Sequence, residues 1–222
     1  MKRISHHIFQ GDTIGERKKS GLRLNFNRKL KLEFHGAKIT SGAGLLAYRE
    51  MDDAMALTEM SVEDLADYRT GKNTQHTLLG MFRQAVYGRL AGYEDVNDAD
   101  RLRLDPAMRT VLGERAVEKS GASTSEMGRF ETEILSQKEN VRSLMNLPGR
   151  FVERTHEYKT INELVLDMNS SVSETHGQQQ GSAYNGYFSC TCYHPLFLFN
   201  QHGDLEYAML RRGNHHSAQI PI

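Results

Sequence analysis

Residues 22–35, LRLNFNRKLKLEFH, alternate between apolar and polar side chains, with the leucines and phenylalanines at even positions. A period of two predicts a half-buried strand, or a hairpin with its turn near Asn27 and Arg28. The opposite face carries most of the basic residues. The pattern therefore predicts an N-terminal hairpin with one apolar and one basic face.

The period becomes that of a helix between about residues 43 and 155, where five or six short helices are predicted. Asp105-Pro106 indicates a helix start, because proline suits the first helical turn, and Pro148-Gly149 indicates a helix end. The side chains predicted to face inward recur every three or four positions: Leu45, Leu46, Met51 and Met55; Leu78, Leu79, Phe82, Val86 and Leu90; Met127, Phe130, Ile134 and Leu135.

Three β-rich segments follow residue 161: INELVLDMN, YFSCTCYHPLFLFN with a bend at Pro195, and LEYAMLRRG. The turns between them predict an antiparallel meander, so the whole chain has the pattern of an α+β protein. A three-stranded sheet needs cover over its apolar face, and no further helical pattern follows this one. The sequence therefore predicts a truncated domain.

Composition excludes several classes of protein. The 222 residues include 28 Lys and Arg and 28 Asp and Glu, which excludes a uniformly basic nucleic-acid coat and an acidic disordered chain. No apolar run approaches the roughly 20 residues of a membrane span, and the N-terminus lacks the apolar core of a signal peptide. We therefore expect a cytoplasmic protein without a membrane partner.

Charge is unevenly distributed along the chain. Residues 1–38 hold ten basic and three acidic residues, whereas residues 45–67 hold seven acidic residues and Arg49. Two interpretations remain open: the basic segment binds phosphates, or it is a solvated arm that neutralises the acidic helix behind it. Arg83 and Arg89 form a second candidate surface, or are solvated. The candidate phosphate contacts are Lys18, Lys19, Arg23, Arg28, Lys29 and Lys31.

The segment LVLDMNSS is the strongest local candidate for chemistry. Asp167 and Asn169 lie two residues apart at a predicted strand end, so their side chains point the same way. Such oxygen ligands suit Mg²⁺, although Asp-x-Asn is also a common turn signal that closes a strand. Cys190 and Cys192 would share one strand face, but zinc needs four ligands and only His194 is near, which favours buried free cysteines.

Four blocks of the sequence, in order, resemble one protein family. They are GLLAYREMDDAMALTE; TQHTLLGMFRQAVYGRLAGYEDVNDADRLRLDPAMRTVLG; ASTSEMGRFETEIL; and the stretch from LVLDMNSS through HGQQQGSAYNGYFSCTCYHPLFLFNQHGDLEYAMLRRGNHHSA. The chain resembles the bacterial insertion-sequence transposases of the cut-and-paste type, which have an Asp-Asp-Glu catalytic centre. The resemblance covers most of the chain.

The resemblance implies a DNA-binding part followed by a ribonuclease-H-like catalytic domain, whose first three strands are those after residue 161. It divides the chain into a basic arm and β-hairpin (1–40), a helical DNA-binding region (41–158) and a partial catalytic domain (159–222). It implies DNA transposition, a form of DNA recombination, by two-metal phosphoryl transfer with Mg²⁺. The implied partner is double-stranded DNA at the terminal inverted repeats of the element, and a homodimer is left open.

Two departures from the family pattern change the expected activity. The family has Asp-x-Asp at the catalytic positions where this chain has Asp167 and Asn169. The resemblance implies that the second Asp binds the metal, so Asn169 should weaken the site, and Asp167 remains as the candidate metal ligand. The family's later Asp and Glu do not occur before residue 222, where the ending QIPI leaves the pattern. We therefore expect a truncated, catalytically inactive copy that binds Mg²⁺ unproductively. The alternatives are a non-enzymatic DNA-binding remnant that regulates transposition and a poorly folding pseudogene product.

Overall fold

The computed structural model describes residues 22–32, 42–71, 74–157 and 161–217 of the chain. Two compact units can be distinguished: Met1–Thr58 with Gly71–Gly128, and Glu59–Thr70 with Arg129–Ile222. Helices and small antiparallel sheets both occur, so the predicted α+β class is confirmed. The domain boundaries predicted at residues 40 and 158 refer to function rather than compactness and stay predictions. Among the described residues, no helix is long and apolar enough to span a membrane.

The predicted hairpin forms in the first unit. Strands β1 (Leu22–Arg23) and β2 (Lys31–Leu32) pair antiparallel. The turn closes near Asn27, whose carbonyl oxygen accepts a hydrogen bond of 2.9 Å from the Leu30 amide. Leu24 and Leu32, which share the apolar parity, are buried. Alternation of apolar residues was therefore sufficient to predict this element and its inner face.

Short helices make up the rest of the first unit. Asp105 begins one of them as predicted, because its side chain accepts a hydrogen bond of 2.8 Å from the Met108 amide and Pro106 follows it. The helices are α1 (Leu45–Met55), the start of α2 (Leu57–Glu63), α3 (Leu78–Leu90), a 3₁₀ turn (Val96–Asp98), α4 (Ala99–Leu102), α5 (Pro106–Leu112), α6 (Glu114–Glu118) and most of α7 (Thr124–Arg129). The core cluster of the unit is Leu45, Tyr87, Met108, Val111, Leu112 and Ala116.

Two of the predicted helix faces are confirmed at most positions and wrong at one position each. On α1, Met51 is 61% exposed, whereas Arg49 and Asp52 are buried. On α3, Leu90 is exposed, whereas Arg83 is buried. Hydrophobic spacing missed the buried Arg49, Asp52 and Arg83 because these charged side chains are partners of one another, which a count of apolar residues does not detect.

The described residues of the second unit form a long helix and six strands. A π-helical segment, Phe130–Leu135, precedes α8 (Lys138–His156), and Phe130 and Ile134 are buried as predicted. The strands are β3 (Leu166–Ser170), β4 (Ser173–Glu174), β5 (Ala183–Asn185), β6 (Cys190–Tyr193), β7 (Leu196–Asn200) and β8 (Leu205–Met209).

These strands form two antiparallel sheets, with the orders β3-β7-β8 and β4-β6-β5. The predicted meander is confirmed in the first of them, because β3 pairs with β7 and β7 pairs with β8. Pro195 lies between β6 and β7, where the sequence predicted a bend. The bend allows one long segment to contribute a strand to each sheet.

The helix end predicted at Pro148-Gly149 is wrong, because α8 continues through both residues to His156. A proline inside a helix removes one backbone hydrogen bond and costs about 3 kcal/mol. The helix nevertheless packs on β8 at this point, and a Cβ on Gly149 would lie 2.5 Å from the backbone oxygen of Glu206. Gly149 therefore serves a close approach between helix and strand, and it does not end the helix.

Candidate functional site

Asp167 and Asn169 lie on β3, at the outer edge of the sheet β3-β7-β8. Asp167 is opposite Phe199 and Asn169 is opposite Phe197. Directly opposed residues of an antiparallel pair point to the same face, so the two polar side chains share a face with two aromatic rings. Both polar residues are exposed. Neither has a charged residue directly opposite it.

The side chain of Gln201, in the turn between β7 and β8, holds the chain before β3 in place. The amide of Val165 donates a 3.0 Å hydrogen bond to Gln201 Oε1, and Gln201 Nε2 donates a 2.7 Å bond to the carbonyl of Glu163. Gln201 thus imitates a strand residue and extends the β3–β7 pairing beyond Leu166. The apolar side chains of Val165, Leu166 and Met168 are nevertheless exposed.

Two carboxylates close to the same sheet escaped the sequence analysis. Asn200 is buried, and its Nδ2 donates to Glu206 Oε1 at 2.8 Å and to Asp204 Oδ2 at 3.3 Å. Its Oδ1 accepts the amides of His202 and Asp204 at 2.9 and 3.0 Å. Asp204 in the turn and Glu206 on β8 therefore help Asn200 to close the turn between β7 and β8. The signal that was available is the run Asn-x-x-Gly-Asp at a strand end.

The oxygen donors on β3 do not fit a two-metal centre. Such a centre needs several carboxylates to hold two divalent ions. Asp167 supplies one negative charge, and Asn169 supplies a neutral carbonyl oxygen. Within the described ranges, no group of three or more His, Cys, Asp or Glu side chains has an arrangement that could hold a metal ion.

The two cysteines are free thiols on β6, as predicted. Cys192 is fully buried, and this burial is the main cause that raises the pKa of its thiol, with a smaller contribution from Cys190. His194 is also buried, and its Nδ1 lies 2.9 Å from the carbonyl oxygen of His215. These contacts support a structural role for the three side chains.

The six candidate phosphate contacts fall into three groups. Arg28 and Lys29 are exposed in the turn between β1 and β2. Arg23 and Lys31 are opposite each other in the two strands. Lys18 and Lys19 lie outside the described residues.

The same hairpin also contacts the acidic helix α1. The amide of Asn25 donates a 2.6 Å hydrogen bond to Glu50, and the Arg49 guanidinium lies 4.8 Å from the centre of the Phe26 ring. These contacts hold the hairpin against α1, but neither involves a basic residue of the hairpin, so both interpretations of the basic segment stay open. The contacts leave the exposed turn accessible to a phosphate.

Arg83 does not form a second basic surface. It is buried, its Nε donates a 3.1 Å hydrogen bond to Thr58 Oγ1, and the same nitrogen lies 3.7 Å from Asp52 Oδ2. Asp52 also accepts hydrogen bonds from the Thr58 amide and hydroxyl and from the Tyr87 hydroxyl. Arg49 Nη1 lies 3.7 Å from Asp52 Oδ2. We call these five side chains the buried polar network.

The network changes the ionisation of its tyrosine. Burial is the main cause that raises the pKa of Tyr87, and the charge of Asp52 adds to the effect, while Arg49 and Arg83 oppose it. The network therefore stabilises the helices of the first unit and offers no surface to a ligand. Arg89, by contrast, is exposed, and its Nη1 donates a 3.1 Å hydrogen bond to the carbonyl of Ala85.

Comparison with known proteins gives one match. A family model described as transposase DDE domain group 1 matches residues 22–220. The comparisons with curated proteins and with solved structures find no match. The matched range contains residues of both compact units, and it includes Asp167 and Asn169.

Proposed function

Because the chain belongs to the transposase DDE domain group 1 family, we propose that it binds the terminal inverted repeats of a bacterial insertion element. Members of this family act on DNA and generally use divalent metal ions. The observation that carries the proposal is the length of the match, which extends over residues 22–220. The order β3-β7-β8 supports a ribonuclease-H-like origin for the sheet.

We propose further that the chain does not cut DNA by itself. Phosphoryl transfer by a two-metal centre requires charged oxygen ligands that neutralise and position the ions. Asp167 is exposed on β3 and is available as one such ligand, whereas Asn169 offers an oxygen without charge. The directly opposed residues are Phe199 and Phe197, which add no ligand.

Phosphate binding is assigned to the turn of the β1–β2 hairpin. Arg28 and Lys29 are adjacent and exposed, and the backbone beneath them is ordered by Asn27, whose Oδ1 accepts the Lys29 amide at 3.1 Å. Two adjacent cations on an ordered turn suit the phosphates of a duplex. Lys18, Lys19, Arg23 and Lys31 stay predictions from the sequence.

The test uses duplexes that carry the DNA flanking the coding sequence, with binding followed by fluorescence anisotropy at several salt concentrations. We expect the affinity to fall as salt rises, and the double variant Arg28→Ala/Lys29→Ala to reduce the log–log slope by about 2. Lys119→Ala, which removes an exposed cation beyond α6, is the matched control and should leave the slope nearly unchanged. A slope near zero for the wild-type chain would contradict DNA binding.

Cleavage is measured on the same duplexes with Mg²⁺ or Mn²⁺. We expect intact strands, because one carboxylate and one amide cannot hold two metal ions. The variant Asn169→Asp should also leave the strands intact, since it adds only one charge. Strand cutting by the wild-type chain would overturn the proposed inactivity while leaving the proposed DNA binding in place.

A second candidate function is regulation of transposition without catalysis. The uncharged Asn169 favours it, because a chain that occupies element ends without cutting them competes with an active enzyme. Adding the chain to an active transposase of the same element should lower excision in a dose-dependent way. Unchanged excision at saturating amounts of the chain would exclude this function.

A further inference from the structure

The hairpin formed by β5 and β6 presents aromatic side chains to solvent at its tip. Tyr187 is 88% exposed, and Tyr184 and Phe188 are also exposed. The turn that joins the strands, residues 186–189, contains Gly186 and Ser189 and no aliphatic side chain. Clusters of exposed large aromatic side chains are a common feature of binding surfaces. We refer to Tyr184, Tyr187 and Phe188 as the aromatic tip.

The aromatic tip is held in one conformation. Asn185 Oδ1 accepts the amides of Tyr187 and Phe188 at 3.0 and 3.3 Å, and Asn185 Nδ2 donates a 2.6 Å bond to the carbonyl of Gly213. The rings of Tyr187 and Phe188 meet edge to face, with centroids 4.8 Å apart. A second such contact joins Phe188 to His194 at 5.8 Å. A ligand would therefore meet a surface that loses little conformational entropy on binding.

The hairpin that carries the tip has no charge that would repel a polyanion. Residues 175–203 contain no Asp, Glu, Lys or Arg, so the hairpin itself carries no carboxylate. The neighbouring segment is basic: Arg212 is exposed and pairs with Tyr193 of β6 through a β-bridge. Glu174 of the adjacent strand is opposite Cys192, one residue nearer the tip than Tyr193, so the strands beside β6 carry one charge of each sign.

We propose that the aromatic tip stacks on unpaired nucleobases of the DNA substrate, with Tyr187 as the main platform; this inference rests on the proposed binding of DNA. Aromatic rings stack on any base because every base has a π-face, and Arg212 supplies a cation for the adjoining phosphates. Paired bases inside a duplex do not expose these faces. The tip therefore selects single-stranded or frayed DNA. The tyrosine hydroxyls, the glycine and the serine of the tip suit this hydrated ligand better than they suit an apolar protein surface.

The chain contains no tryptophan, which makes the proposal directly observable. The variant Tyr187→Trp carries a single tryptophan at the tip, and Tyr68→Trp carries one at a position that is 59% exposed in the same unit. Oligothymidine should quench the fluorescence of the first variant and leave that of the second nearly unchanged. Equal quenching of the two variants, or no quenching of either, would overturn the proposed platform.

Affinity provides the second measurement. Tyr187→Ala should weaken oligothymidine binding by about tenfold, because the variant loses the stacking of one base on the ring, and Tyr187→Trp should restore it. The affinity for a blunt duplex should stay the same, and circular dichroism should be unchanged because Tyr187 is exposed. Equal oligothymidine binding by the wild type and Tyr187→Ala overturns the stacking proposal alone. Absence of binding by the wild-type chain to duplex and single strand alike overturns the proposed function as well.

Discussion

The two compact units bury polar groups in different ways. The first unit buries charges as partners of one another, as in the contacts of Asp52 with Arg49 and Arg83. The second unit buries polar side chains that bind mainly backbone: Asn140 Oδ1 accepts the Ala66 amide at 2.7 Å, and its Nδ2 donates to the carbonyls of Ala66 and Ile134. Its buried Arg211 likewise donates from Nε to the carbonyl of His194 at 3.0 Å. The first unit also buries one such amide, on Gln84, whose side chain bonds the backbone of Ala122.

The two units should differ in the cost of removing one buried polar side chain by mutation. Removing a member of a buried charged group leaves an opposite charge without compensation in a region of low dielectric. Removing an amide leaves neutral backbone groups without partners, which costs less. The first unit should therefore be more sensitive to single substitutions in its polar interior than the second.

The largest effect is expected for Asp52→Ala. This change removes the buried carboxylate that Arg49 and Arg83 share, and it should lower the free energy of unfolding by about 3–5 kcal/mol. Asp53→Ala is the matched control, because Asp53 lies 3.4 Å from the same Arg49 but is exposed. The control should cost less than about 1 kcal/mol. Guanidinium unfolding followed by circular dichroism measures both; similar costs would contradict the importance of burial.

An intermediate effect is expected for Asn140→Ala in the second unit. The amide and carbonyl of Ala66 and the carbonyl of Ile134 would lose their partner, at a cost of about 1–3 kcal/mol. Asn146→Ala, on the exposed side of the same helix, is the control and should change stability by less than about 0.5 kcal/mol. Hydrogen exchange should show the loss of protection in the second unit. A cost above that of Asp52→Ala would reverse the comparison between the units.

The smallest effect is a dependence on alkaline pH in the first unit. The pKa of Tyr87 is raised in the folded chain, whereas an unfolded tyrosine ionises near pH 10. The stability due to its neutral form is complete below about pH 10 and falls by up to about 1.4 kcal/mol per pH unit above it. Tyr87→Phe should flatten this decline, while Tyr48→Phe, at an exposed tyrosine of the same unit, should preserve it. Unfolding midpoints on both sides of pH 10 test this; identical slopes for the two variants would contradict it.

Part of the fold was predictable because its signals are local. Alternation placed the β1–β2 hairpin, and Asp105-Pro106 placed the start of α5. The face of α1 was not predictable in the same way, since Arg49 and Asp52 are buried only because other elements bring Arg83 and Tyr87 to them. Pro148-Gly149 is a local stop signal that was overridden when α8 packed on β8.

The candidate site likewise has features that local sequence predicts and features that depend on tertiary contacts. Spacing alone placed Asp167 and Asn169 on one face of a strand, but it could not identify the phenylalanines opposite them. The aromatic tip had a recognisable signal, because Asn185-Gly186 between β-rich residues is typical of a hairpin. The sequence analysis instead placed Tyr187 and Phe188 in the β-rich segment YFSCTCYHPLFLFN, whereas the structure has them in a turn. Nothing local indicates that this tyrosine stays exposed.

By itself, the sequence determined the period of each segment, the strand that carries Asp167, the neutral residue at 169 and the membership of a transposase family. These depend on residue identities and on distances of a few positions along the chain. The tertiary structure alone decided which charges are buried, that a helix continues through a proline and which aromatic rings remain in water. The physical reason is that burial is a property of contacts between distant segments, and those contacts outweigh local preferences wherever they bury more area or satisfy more polar groups.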